Sequence, residues 1–178
     1  MRRVAGLLRA VNVGGRKLLM ADLTRITREA GFDAPQTLLA SGNVIFGTTL
    51  SNEISAERLA SAIMSDVGMA TDVMVRDHAG MSAVMVANPF PDHASDDPSR
   101  LMAMFLDRDP SGDPDALAPA CVAGEALRLG PKCLYVWFPQ GAGTSKLTNA
   151  IIERRLKVRG TMRNWNTVGK LAALVNVG

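Results

Sequence analysis

Three short polar strings in this sequence carry residue types that bind anions. Gly14-Gly15 follows an apolar run and precedes a helical pattern, with Arg9, Arg16 and Lys17 close by. Successive backbone N–H groups in such a loop can cradle an anion beside a helix start. Two glycines there can equally do no more than reverse the chain. Their spacing matches neither a dinucleotide fingerprint nor a phosphate-binding P-loop. Gly141-Ala142-Gly143-Thr144-Ser145-Lys146 is a second glycine loop before a helix, with Thr144 or Ser145 as a natural N-cap. A phosphate or carboxylate fits at that helix start. A Ser145 nucleophile with Lys146 as its base is the weaker reading, because adjacent residues on a helix point about 100° apart. Thr161-Met162-Arg163-Asn164-Trp165-Asn166-Thr167 is the third string. Its polar groups are costly to bury unless each is hydrogen-bonded. Arg163 can fork onto a phosphate or carboxylate, and Trp165 can stack on a base. Alternatively, Asn166 or Thr167 caps the last helix and Trp165 packs inward.

Other chemistries find little support. Cys121 and Cys133 are too few and too far apart for a zinc site, and both read as buried free thiols. His78 and His93 are lone residues without ligand spacing, expected in solvent. There is no paired-carboxylate motif, and nothing calls for a metal or a cofactor.

The elements that must hold these strings follow from periodicity. Val4 to Leu8 reads as a buried strand. A helix then carries Leu23, Ile26, Thr27 and Ala30 on one face and stops at Gly31. Gln36 to Ala40 and Val44 to Phe46 read as strands joined by a Ser41-Gly42-Asn43 turn. A second helix spaces Leu59, Ile63 and Val67 by four and ends at Gly68, and Asp72 to Val75 is a fourth strand. This β-α-β-β-α-β order is ferredoxin-like, an α+β sandwich. The second half repeats the outline. Asp77 to Ala87 is helical and ends at Asn88-Pro89, and Ser99 to Leu106 holds a strand. A short helix covers Ala116 to Ala120. Ala126 to Leu129 and Cys133 to Phe138 form a hairpin around Gly130-Pro131-Lys132. Helices begin near Lys146 and near Val168. Two ferredoxin-like units in tandem with an extra C-terminal helix are therefore expected. The first spans residues 1–77 and the second, with the basic C-terminal segment, 78–178. Asn88 to Ser99 is the softest stretch between them.

Composition agrees with a folded chain. The 178 residues are 47% hydrophobic and 21% charged, which excludes disorder, collagen and coiled coil. The net charge is only +3, but it is unevenly placed. From Ser145 to Gly178 there are seven Lys/Arg against Glu153, and from Asp77 to Asp115 eight acids against Arg100 and Arg108. Both runs can be solvated faces, or the basic end can meet an anionic partner. No apolar run approaches the roughly 20 residues of a membrane span. The N-terminus enters a strand pattern without a cleavable signal, so a cytoplasmic location is expected.

Five strings together resemble the bacterial domain-of-unknown-function family 1697. They are Leu7-Leu8-Arg9-Ala10-Val11-Asn12-Val13-Gly14-Gly15, Ser41-Gly42-Asn43-Val44, Asn88-Pro89-Phe90, Gly143-Thr144-Ser145-Lys146-Leu147 and Arg163-Asn164-Trp165-Asn166-Thr167. They run over nearly the whole chain in the family's order. The resemblance implies tandem ferredoxin-like units and a residue list, but no reaction. Ala10 stands where the family often has Gly, so a negative φ is expected there. Ala40 stands where the family often has a polar residue. The polar members of the motifs are intact.

The leading functional expectation is a binding protein for a small anionic ligand, a nucleotide or other phosphate compound. Its cleft, between the two halves, would use Arg9, Asn12, Gly14, Gly15, Ser41, Asn43, Ser145, Lys146, Arg163, Asn164 and Asn166. One alternative is nucleic-acid binding through the basic C-terminal third. Against it, aromatics are only 4% and no aromatic RNA-reading strand motif is present. Another is a transferase or hydrolase with Lys146 as a base of burial-lowered pKa. Oligomeric state is left open.

Overall fold

A computed structural model describes residues 1–10 and 17–176. The chain folds as two compact units. One comprises Met1–Met81 with the C-terminal segment from Leu171, and the other Ser82–Lys170.

In the first unit the order is β1 (Arg2–Leu8), α1 (Met20–Glu29), β2 (Asp33–Thr37), β3 (Asn43–Thr48), α2 (Asn52–Val67) and β4 (Val73–Asp77). The strands form one antiparallel sheet in the order β2-β3-β1-β4, with Val4 opposite Phe46 and Gly6 opposite Val75. Alternate side chains Val4, Leu8, Val44, Phe46, Val73 and Val75 join Leu23 and Ile26 of α1 and Leu59 and Ile63 of α2 in one core. The intervening Ala5, Leu7, Ile45 and Met74 are buried as well. Ser51 caps α2 by accepting from the Ile54 N–H at 3.2 Å, and Gly68 stops it in the left-handed region at φ +63°. Arg25 ties α1 to α2 through a two-pronged pair with Asp66 at 2.7 and 2.9 Å.

α3 (His78–Val86) leads into the second unit. There follow α4 (Pro91–Asp96), β5 (Leu101–Leu106), a 3-10 segment Pro114–Ala120, β6 (Ala126–Gly130), β7 (Cys133–Trp137) and a 3-10 turn Ala142–Thr144. α5 (Asn149–Leu156), β8 (Gly160–Asn164) and α6 (Trp165–Val175) complete the chain. This sheet is again antiparallel, in the order β6-β7-β5-β8. Counted within each unit, both sheets read second-third-first-fourth. Met104, Leu106, Leu134 and Val136 pack on Leu117, Leu147, Ile152 and Leu156. On the other face Ala103, Phe105, Cys133 and Tyr135 are also fully buried. The Tyr135 hydroxyl donates to the Val84 carbonyl at 2.7 Å.

Several expected boundaries move, each for a physical reason. β2 starts at Asp33 rather than Gln36 and ends at Thr37, because Leu39 takes φ +60° and turns the chain early. Val67 is exposed, since Ser55, Leu59 and Ile63 form the buried stripe of α2. The expected helix at Ala116 to Ala120 is 3-10, consistent with Pro114 and Pro119 withholding backbone donors. α5 begins at Asn149 and not near Lys146, because Thr148, rather than Thr144 or Ser145, accepts from Ile151 N–H. α6 begins at Trp165, three residues before Val168. β8 was not expected from its polar sequence. It is held as an edge strand by pairing along β5, Met102 opposite Asn164 to Leu106 opposite Gly160.

One glycine tests the packing of the second unit. A Cβ on Gly112 would lie 2.1 Å from the Arg155 carbonyl oxygen and 2.8 Å from the Leu156 Cα, both backbone atoms. Its N–H donates to the Leu156 carbonyl at 3.2 Å. Gly112→Ala is expected to cost about 1–3 kcal/mol or more by overpacking, read as a lowered midpoint in urea unfolding. An unchanged midpoint would show that this loop moves aside freely.

Candidate functional site

The motif residues divide between the units. Arg9, Ser41 and Asn43 gather at one end of the first sheet, where β1 ends and β3 and β4 begin. Three backbone-level contacts close this end. Leu8 N–H donates to the Gly42 carbonyl at 2.8 Å, Arg9 N–H to the Asp72 carbonyl at 2.9 Å, and the Thr71 hydroxyl to the Arg9 carbonyl at 2.7 Å. The Arg9 guanidinium is half-buried and stands 3.7 Å from the Asp72 carboxylate. Asn12, Gly14 and Gly15 lie outside the described residues.

Asn43 holds its own turn together. It is fully buried, and its amide nitrogen donates to the Leu38 carbonyl at 2.9 Å and to the Ser41 hydroxyl at 2.8 Å. Both amide hydrogens are thus spent on clamping the turn that was expected to be a simple hairpin. Ser41 is the exposed partner in that clamp. Ala10 corrects another expectation. Its φ is +54°, in the left-handed region where a glycine is relaxed and an alanine is strained.

In the second unit Ser145 donates a short hydrogen bond to Glu125 and accepts from the Leu147 N–H at 3.0 Å. Glu125 also accepts from the Ala123 N–H at 2.8 Å. Burial pushes the Glu125 carboxyl up, but hydrogen bonds from Ser145, Ala123 and its own N–H outweigh that and hold it below the ordinary value. Burial, with Glu125 adding its charge, raises the Cys121 thiol, so Cys121 is no thiolate nucleophile. Lys146 is exposed, so the burial that a lysine base would require is absent. The expected helix start at this loop is absent too, because a 3-10 turn and Thr148 separate the glycines from α5.

Arg163 lies in β8, 7% exposed, opposite Ala103. One of its terminal nitrogens donates to the Thr161 hydroxyl and to the Met162 carbonyl, each at 2.7 Å. Burial pulls its pKa down to about 10, which leaves it charged at neutral pH. Asn164, expected to touch a ligand, caps α6 with its side-chain oxygen, accepting from the Thr167 N–H at 3.0 Å and hydroxyl at 2.9 Å. Asn166, one of the expected caps, is exposed. Trp165 is 9% exposed and packs on Tyr135 with ring centroids 6.3 Å apart, so it offers no open face for a base. Ser145 beside β6 and Asn164 at the end of β8 stand on opposite edges of the sheet, about three strand spacings or roughly 14 Å apart.

Sequence reasoning missed two groupings. Glu125 lies 20 residues from Ser145, and no local signal joins them. His93, expected in solvent, stacks on Trp137 with centroids 3.9 Å apart and planes within 5°, while His78 is exposed. The only sequence hint is Asn88-Pro89-Phe90, where the Asn88 side chain accepts from the Phe90 N–H at 3.0 Å and starts the turn into α4.

Two outcomes test this assignment. Ala10→Gly is expected to raise stability by about 1 kcal/mol, measured by chemical unfolding, since relief of left-handed strain exceeds the extra chain entropy. A drop would mean the strain is absent. Glu125 has a depressed folded-state pKa, so its contribution is present above the unfolded value near 4.5 and is lost as pH falls through the folded one. Glu125→Gln should therefore be less stable than the parent at pH 7 and should lose less stability between pH 7 and acid. Parallel pH profiles would remove the assigned role.

Comparison with known proteins places the chain. No curated protein matches it. Among solved structures, the conserved bacterial protein SP0830 from Streptococcus pneumoniae superposes with a TM-score of 0.70 over 98% of both chains at 20% identity, which is a likeness of fold. The family profile described as "Protein of unknown function (DUF1697)" matches residues 1–135, and the chain belongs to that family.

Proposed function

We propose that the protein binds a small anionic ligand, a nucleotide or other phosphate compound, at the Arg9 end of the first sheet. The observation that carries this is the meeting of Arg9, Ser41 and Asp72, which are far apart in sequence, at one sheet end. The turn beneath them is locked by Asn43. Arg9 is a multi-donor cation, 3.7 Å from the Asp72 carboxylate, and a guanidinium fork suits an oxyanion. Asn12, Gly14 and Gly15 follow Arg9 directly in sequence and supply the remaining donors in this reading. We also infer that each unit is ferredoxin-like. The support is the shared second-third-first-fourth strand order with helical segments between the strands.

Thermal melts against nucleotides, sugar phosphates, inorganic phosphate, short RNA and DNA test the reading. A ligand present at about 100 times its Kd should add roughly 2.7 kcal/mol and shift the midpoint by a few degrees. Arg9→Ala should reduce a small-anion shift. A shift with polynucleotides alone, lost on adding salt, would favour the nucleic-acid alternative. A small-anion shift undiminished by Arg9→Ala would refute this site.

A further inference from the structure

At the opposite end of the first sheet lies a groove of about 490 Å³, in the size range of small-molecule sites. It is bounded by the last turn of α1, the α1–β2 connection, the end of β3 with the loop after it, and α2. The length of β1 separates it from Arg9 by about 20 Å. Of its lining residues the sequence reading singled out only Gly31, as a helix stop.

Two guanidinium groups, Arg28 and Arg58, line it, both on exposed residues. Neither forms an ion pair with any described residue. Their neighbour on the same helix pair behaves differently. Arg25 is held by Asp66 at 2.7 Å, Glu29 at 2.9 Å and Asp22 at 3.6 Å. Three carboxylates of these helices, Asp22, Glu29 and Asp66, are thus drawn to Arg25. Asp33 lines the same groove without an ion pair to either arginine.

The groove is also held open and in shape. A side chain at Gly47 would meet Asp33 Oδ2 at 3.2 Å, and one at Gly31, where φ is +86°, would lie 3.9 Å from Arg58 Nη1. The loop Gly47–Leu50 is pinned from beneath. Arg2 donates to the Leu50 carbonyl at 2.6 Å and to Asn52 at 2.9 Å, and Leu50 N–H donates to the Thr48 hydroxyl at 3.0 Å. Such a prearranged wall lowers the ordering cost of binding.

We propose that this groove binds a phosphomonoester with a hydroxyl-bearing body, such as a sugar phosphate or mononucleotide. Arg28 and Arg58 take the dianionic phosphate, because paired forks match its tetrahedral oxygens and double charge. Asp33 accepts hydrogen bonds from ligand hydroxyls. A ligand of this kind neutralises the two guanidinium groups and uses the one carboxylate between the walls. The inference is independent of the Arg9 reading, since the two sites share no residue.

Titration calorimetry on the full chain tests it, with ribose 5-phosphate and AMP as probes and ribose and adenosine as controls. The phosphorylated probes should bind and the controls should not. Arg28→Ala and Arg58→Ala should each weaken binding roughly tenfold or more, as expected for loss of a charged hydrogen-bonding partner. Arg58→Lys should recover only part of it, because the fork is lost while the charge stays. Melting curves of the variants should overlay the parent's, since both side chains are exposed. No binding of either phosphorylated probe would overturn the proposal, as would full affinity in the Arg28→Ala/Arg58→Ala double variant. Loss of binding in Arg9→Ala with that double variant intact would overturn it too, and would place the phosphate at the other end of the sheet.

Discussion

Burial of both sheet faces is the constraint on which the rest depends. In each unit the first strand is central, flanked by the third and the fourth. Every residue from Val4 to Leu8 is buried, and so is every residue of β3 from Asn43 to Thr48. A strand in that position has no solvent side on which to place a polar group. Any polar residue there must complete its hydrogen bonds inside the protein or destabilise it. No buried described side-chain nitrogen or oxygen lacks a partner, so the rule is kept.

That rule changes the meaning of the polar motifs. Asn43 is polar because a buried turn needs two donors, one for the Leu38 carbonyl and one for Ser41. Asn164 is polar because α6 starts directly from β8 and its first N–H groups need an acceptor. Ser145 and Glu125 satisfy each other and a backbone N–H on each side. These residues have the types expected of a ligand site and do the work of caps and clamps. Arg9, Ser41, Lys146 and Asn166 reach water at least in part. Arg163 lies between these classes, charged, buried and bonded to its own strand.

The distribution of arginine partners sorts the remaining candidates. Arg2 and Arg25 are multiply bonded and hold elements together. Arg9 keeps a loose pair at a sheet end. Arg28 and Arg58 face one groove, while Asp22, Glu29 and Asp66 are held by Arg25. Composition could not separate these roles, because the partners that set them, Asp77 for Arg2, Asp72 for Arg9 and Asp66 for Arg25, lie tens of residues away along the chain.

What the sequence by itself determined is the alternation of elements and most of their apolar faces. Period-four spacing in Leu59 and Ile63, the stop at Gly68 and the run Val4 to Leu8 are local signals with local causes. So is the repeat of strand, helix and hairpin in the second half. Tertiary structure decided what local pattern cannot carry. The strand Gly160–Asn164 exists because β5 offers it an edge, not because Gly-Thr-Met-Arg-Asn favours extension. The left-handed φ of Ala10 is set by the chain around it, against the residue's own preference. The pairing of Ser145 with Glu125 and the arginine-lined groove each join residues distant in sequence. Hydrogen bonds and ion pairs act over a few ångströms of space, and only the folded chain decides which residues come that close.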